Sequence, residues 1–237
     1  MSDRADQPAR EAILARLRRT LRQGDIPTDE EARRTFALTR LVAPKPNTVP
    51  LRADLPLEER VAVFTAQAEA VQSTVRRLPR LADVADAVLA FLRQYNLSME
   101  LVAASDPMLD PIDWNRTMLE VRRGRPQEQD TVGLTTAFAG IAETGTLMLV
   151  SRRATPTTLA FLPDNAIVVL PTRRVLRAYE DGLQLLREEL RNLPRSINFV
   201  TGPSRTGDIE QTILLGAHGP RRLLVFLVDG VPERKAA

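Results

Sequence analysis

The sequence predicts an α/β fold: a mainly parallel, Rossmann-like sheet flanked by helices, with an N-terminal helical arm. Three observations predict it. From about residue 57 onward, short β-rich runs alternate with amphipathic stretches, the pattern of strand–helix–strand crossovers. The runs IVVL (167–170) and LLVFLV (223–228) are continuously apolar, as strands covered on both faces are. Apolar residues make up 43% of the 237 and charged residues 27%, the mix of a globular protein with a core.

The elements follow in order. Residues 9–23 carry Leu14, Leu17 and Leu21 at spacings of three and four, an amphipathic helix. The stretch APKPNTVPLRADLP (43–56) is too rich in proline for a helix or a central strand. Residues 1–50 therefore read as an N-terminal helix and Pro-rich linker, 51–232 as the α/β domain, and 233–237 as a tail. Leu57, Val61, Phe64, Ala68, Val71 and Val75 form one stripe, predicting a helix over 57–76. Residues 81–93 predict another, with Leu81, Val84, Ala85, Val88, Leu89 and Leu92 on one face. Strands are expected at 100–104, 118–122, 131–137, 146–151, 166–171, 197–201 and 223–229, and helices at 174–192 and 208–216.

Composition excludes several classes of chemistry. The chain has no cysteine, so it has no disulfide, thiolate metal site, cysteine nucleophile or cysteine-held iron–sulfur cluster of its own. That usage fits a reducing, cytoplasmic compartment. The start, MSDRADQPAR, is polar and does not resemble a signal peptide, and no run of about 18 apolar residues predicts membrane insertion. Net charge is only +3, the basic residues are interleaved with acids, and aromatics are 4%, so no nucleic-acid track is expected. The pairs Arg152–Arg153, Arg173–Arg174 and Arg221–Arg222 read as solvated ends of strands or helices.

Two constellations carry candidate chemistry. In INFVTGPSRTGDIEQTILLGAHGP (197–220), a strand runs into a loop and then a helix. On this reading the strand is parallel and ends at the carboxyl edge of the sheet. Thr206 caps the helix, Gly202 and Gly207 free the backbone, and Ser204 and Arg205 supply a hydroxyl and a cationic fork for a carboxylate or phosphate. Thr201 and Pro203 complete the loop, and Asp208 and Glu210 occupy the first helical turn. Asp208 stands where a phosphate-binding G-x-x-x-x-G-K loop needs lysine, which excludes a P-loop. The same residues also fit an ordinary strand–helix turn with a good cap.

The second constellation is GLTTAFAGIAETGTLMLVS (133–151), where Gly140 and Gly145 bracket Glu143 and Thr144. A glutamate among small residues beside an apolar strand suits a general acid or base, a nucleophile, or an acceptor of N–H hydrogen bonds. It equally suits a solvated turn. His218 is the only histidine. It cannot build a histidine metal site, so no metal is expected. It suits either a single proton-transfer role or a loop residue ordering backbone. Trp114, the only tryptophan, reads as a loop anchor into the core.

AETGT (142–146), taken with TGPSRTGDIEQTILLGAHGPRRLLVFLVD (201–229), resembles the LUD domain of the lactate utilization protein C family. The resemblance runs from about 100 to 230 and more loosely to the N-terminal helix. It departs at Gly207, where the family favours alanine. The resemblance implies a fold similar to the sugar-phosphate isomerase and CoA-transferase superfamily. It implies a non-redox part in a system oxidising L-lactate to pyruvate, with iron–sulfur clusters on partner subunits and no cofactor held by this chain. It leaves two alternatives open, acyl or CoA transfer through Glu143 and an assembly module without ligand chemistry. A homo-oligomer is compatible with any of them. The ligand-binding set is then Thr144, Gly145, Thr201, Gly202, Pro203, Ser204, Arg205, Thr206, Asp208 and Glu210, with Glu143 and His218 as catalytic candidates.

Overall fold

The computed structural model describes residues 7–21, 29–43, 49–190, 192–207, 213–216 and 218–231. Two units are distinct, Met1–Thr48 and Val49–Ala237. The first holds α1 (Gln7–Leu21) and α2 (Glu30–Val42). The sequence reading had no second helix here. Asp29 begins it: its carboxylate accepts from the Ala32 N–H at 2.8 Å, and Glu30 and Glu31 follow in the first turn.

The second unit opens with α3 (Leu57–Ala70), which buries Val61, Phe64 and Ala68. It stops short of the expected 76. Gln72 takes a positive φ of 67°, and the Ser73 N–H donates back to Ala68 O at 3.0 Å. Val75 therefore lies in β1 (Thr74–Leu78). Next come α4 (Val84–Gln94), β2 (Glu100–Ala103), β3 (Glu120–Arg123), β4 (Val132–Thr136), β5 (Ala139–Ile141), β6 (Thr146–Val150), β7 (Asn165–Pro171) and β8 (Val175–Leu176). The chain ends with α5 (Tyr179–Glu189), β9 (Ile197–Val200), β10 (Arg205–Gly207), β11 (Ile213–Leu215) and β12 (Arg222–Val228).

The main sheet has six strands in the order β1-β12-β7-β4-β2-β3, and every neighbouring pair is parallel. Side chains alternate faces along each strand. Ile167 and Val169 of β7 and Leu224, Phe226 and Val228 of β12 pack with α4 residues Val88, Phe91 and Leu92. Val168, Leu170, Val225 and Leu227 face the other way, onto Val61, Phe64 and Ala68 of α3. The sheet is thus covered on both faces, as the apolar runs predicted.

A second sheet, β8-β5-β6-β9, stands beside it. β5 and β6 form an antiparallel hairpin, and β9 adds antiparallel to β6. This corrects the reading of 197–201 as a parallel strand of the main sheet. The predicted helix over 208–216 is also corrected where it can be seen. Residues 213–215 are a strand paired with 205–207, Thr206 opposite Leu214, so Thr206 lies in β10 and caps no helix. Asp208 and Glu210 lie outside the described residues.

Candidate functional site

The AETGT motif is the turn of the β5–β6 hairpin, and TGPSRTG leaves the end of β9 beside it. The antiparallel pairing of β6 with β9 sets Leu147 opposite Val200, so the residues just beyond, Thr146 and Thr201, meet. Their hydroxyls are 2.7 Å apart. Thr146 Oγ1 also lies 2.7 Å from Thr144 Oγ1 and 3.1 Å from the Tyr179 hydroxyl, which is 3.0 Å from Thr144. Four hydroxyls therefore cluster, with fully buried Thr146 contacting Thr144, Tyr179 and exposed Thr201. Tyr179, at the start of α5, is held by an edge-on contact with Phe199 at 5.0 Å.

Two glycines let the end of α3 press on both motifs. Gly145 has φ +64°, and a Cβ there would stand 2.2 Å from Ala68 N. Gly202 has φ +83°, and its Cβ would stand 2.6 Å from Val71 O. Either contact is with backbone, so neither position accepts a larger residue without displacing α3.

Of the other candidates, Ser204 is half-buried and central to its loop. Its N–H donates to Pro220 O at 2.9 Å, its carbonyl accepts from Gly216 N at 3.1 Å, and its hydroxyl accepts from the backbone N–H of exposed His218 at 3.4 Å. Pro203 is buried and Arg205 exposed. Glu143 is 7% exposed; its N–H donates to Arg177 O at 3.2 Å, and its carboxylate Oε2 is buried without a hydrogen-bond partner. Among the described residues, no hydrogen bond or ion pair joins Glu143 to Ser204, Arg205 or His218. The structure thus joins Thr144 to Thr201 and Ser204 to His218, and leaves Glu143 apart.

Sequence reading missed a cavity of about 230 Å³ elsewhere. It lies at the carboxyl ends of β2, β4, β7 and β12, and its polar lining comes from Asp106, Thr136, Arg173 and Arg174. Arg173 and Arg174 are not the solvated pair expected. The Arg173 guanidinium donates to Val231 O, and the Arg174 side chain is 13% exposed and paired with Glu189 at 2.7 Å. The available signal was Asp106-Pro107 directly after an apolar strand, since loops at carboxyl strand ends hold ligands in α/β sheets. Trp114 does pack against the core beside β3. Among the described residues, no cluster of three or more His, Asp or Glu could hold a metal. No helix among them is long and apolar enough to cross a membrane.

A family model for the LUD domain matches residues 61–228. The chain belongs to the LUD domain family. It is similar to Lactate utilization protein C of Anoxybacillus flavithermus (strain DSM 21510 / WK1), 32% identical over 113 residues, which cover 46% of this chain and 50% of that protein. It is also similar to Lactate utilization protein C of Bacillus subtilis (strain 168), 32% identical over 105 residues, 43% of this chain and 44% of that protein. These matches span half the length of those relatives or less. A crystal structure of a DUF162 family protein from Deinococcus radiodurans shares the fold, with a TM-score of 0.56 and 22% identity, covering 73% of this chain and 99% of that one. The LUD fold here is an α/β unit with a parallel six-stranded sheet between helices.

Proposed function

We propose that this LUD protein is a non-redox, cytoplasmic component of an L-lactate utilization system. Iron–sulfur partner proteins carry the oxidation of lactate to pyruvate, and this chain binds a small carboxylate or phosphate-bearing ligand. The family membership and the names of the two relatives support the lactate system. A chain without cysteine supplies no thiolate to a cluster, which supports placing the redox centres on other chains. The single observation behind ligand binding is the 2.7 Å contact of Thr146 with Thr201. It brings AETGT and TGPSRT together and lines them with hydroxyl groups, with Arg205 following in β10. The test is growth on L-lactate as sole carbon source after deletion of the gene. The account expects growth to fail and a plasmid copy to restore it; normal growth in a strain with no other lactate oxidase would sink it.

Two features favour companion readings. The unpartnered Oε2 of buried Glu143 suits a nucleophile. In acyl or CoA transfer this oxygen would attack a thioester carbonyl, giving an acyl-glutamyl anhydride and releasing the thiolate. Hydroxylamine trapping of that anhydride, lost in Glu143→Gln, tests it; no trapped adduct in the wild type removes it. In the first unit, Ile13 and Leu17 of α1 and Leu38 and Val42 of α2 are 61%, 52%, 53% and 85% exposed, a feature of assembly modules. Pull-downs with and without residues 1–50 test that reading, which an unchanged partner profile contradicts.

A further inference from the structure

The cavity at the carboxyl ends of β2, β4, β7 and β12 is lined by neither the AETGT turn nor the TGPSRTG loop, though Thr136 and Phe138 of the 133–151 stretch contribute to its wall. After β2 the chain crosses toward β3, and after β4 it crosses the opposite way, toward β7. The crevice between β2 and β4 is therefore the point where the winding reverses, which is where open α/β sheets bind their ligands. The polar groups are placed at separate parts of its wall. Asp106 is fully buried. It accepts from Thr136 Oγ1 at 2.6 Å and from the Met108 N–H at 3.1 Å, which makes this corner rich in acceptors. Arg174 is different. One guanidinium nitrogen pairs with Glu189, its face lies 5.3 Å from the centre of the Phe138 ring, and Nη1 is buried with no acceptor. A buried cationic donor without an acceptor is costly, and a ligand carboxylate would supply one in its preferred geometry. Met108, Phe138 and Pro171 contribute apolar wall. The cavity of about 230 Å³ lies below the roughly 300–1,000 Å³ of sites for drug-sized ligands, a size suited to a small organic acid.

We propose that this cavity binds a small hydroxy monocarboxylate. Its carboxylate sits on the Arg174 guanidinium, its carbon chain against Met108 and Phe138, and its hydroxyl donates to the Asp106–Thr136 pair. The inference deepens the proposed function by giving its ligand a second place to bind, and rests on that reading only in the choice of L-lactate as first probe. The Asp106–Thr136 corner offers acceptors rather than a second cation, so it favours a hydroxyl over a second carboxylate.

The test titrates the full chain with L-lactate, propionate and inorganic phosphate, by calorimetry and by the NMR signals of ¹³C-methyl methionine. L-lactate should shift the Met108 methyl saturably and leave Met118, which is 67% exposed and lines no part of the cavity, unmoved. Propionate, lacking the hydroxyl, should bind about tenfold more weakly, and phosphate, lacking the carbon chain, more weakly than L-lactate. Arg174→Met should weaken the L-lactate response of the Met108 methyl by about tenfold or more. Arg174→Met also strands Glu189, so Met108→Trp, which fills the cavity and touches no ion pair, is the second variant and should remove this site from the calorimetric stoichiometry. An unmoved Met108 methyl at millimolar L-lactate overturns the inference. So does a calorimetric stoichiometry for L-lactate that Met108→Trp leaves unchanged, or equal affinity of the Met108 site for L-lactate and propionate. A lactate growth defect with no Met108 shift removes this inference alone; Met108 binding with normal growth removes the proposed function alone.

Discussion

Replacing Gly145 by alanine isolates the contact that joins α3 to the AETGT turn. Gly230 is its control. The two glycines have almost the same backbone angle, φ +64° and +63°. At 230 the nearest atom to a new Cβ is Pro79 O at 3.6 Å, an ordinary contact. At 145 the Cβ would stand 2.2 Å from Ala68 N, 2.6 Å from Gln67 C and 2.7 Å from Ala68 Cα, all backbone. Both variants carry the left-handed strain of about 1–2 kcal/mol, and both recover about 0.4–1 kcal/mol from a stiffer unfolded chain. Gly230→Ala should therefore cost about 0–1.6 kcal/mol relative to the wild type. Gly145→Ala adds an overpacking cost of about 1–3 kcal/mol because α3 must move. Equilibrium urea unfolding of the two variants measures the difference. Equal destabilisation would refute the claim that α3 is seated directly on the motif.

Further outcomes follow from the same geometry. Glu143→Met keeps the size of the side chain and removes the unpartnered buried Oε2, so it should raise stability by about 1 kcal/mol or more in urea unfolding; destabilisation would mean that this carboxylate is structurally engaged. The Arg177 hydrogen bonds hold the Asp181 carboxyl below the usual carboxylate range, as Arg77 does for Asp229. A folded-state pKa below the unfolded value means that this stabilisation is complete above about pH 4 and is lost as pH falls through the folded value. Urea midpoints should be flat from about pH 7 to 5 and drop below about pH 4, and Asp181→Asn should reduce that drop. Phe64→Ala should cost about 3–5 kcal/mol in the same assay, because Phe64 is fully buried and packs within 3 Å of where a Gly140 Cβ would sit.

The parts of the fold legible in sequence are those decided locally. The apolar runs at 166–171 and 223–229 became β7 and β12, buried on both faces. Elements that depend on distant pairing were not legible. The stripe through Val71 and Val75 continued the period of α3, but the positive φ at Gln72 and the parallel register of Val75 with Val225 made it a strand. Likewise INFV has the composition of a core strand, and only its partner β6 decides that it is antiparallel and outside the main sheet. A capped helix at Thr206 was inferred from spacing, while cross-strand pairing with Leu214 governs that residue. In the two motifs, the unusual backbone of Gly145 and Gly202 was legible, and both take a positive φ. The role of Tyr179 was not, because its hydroxyl reaches the cluster from 33 residues away along the chain. Asp106 and Arg174 were hidden for the same reason: each looks like a loop residue until the sheet sets β2, β4 and β7 side by side.

The central claim is that this chain is required for lactate oxidation without carrying its redox chemistry. The direct measurement is L-lactate-dependent reduction of a dye in extracts of a deletion strain, before and after adding the purified protein. The account predicts that the deletion extract loses L-lactate oxidation, that the purified chain alone has none, and that adding it restores the rate. A deletion extract that oxidises L-lactate at the wild-type rate would contradict it.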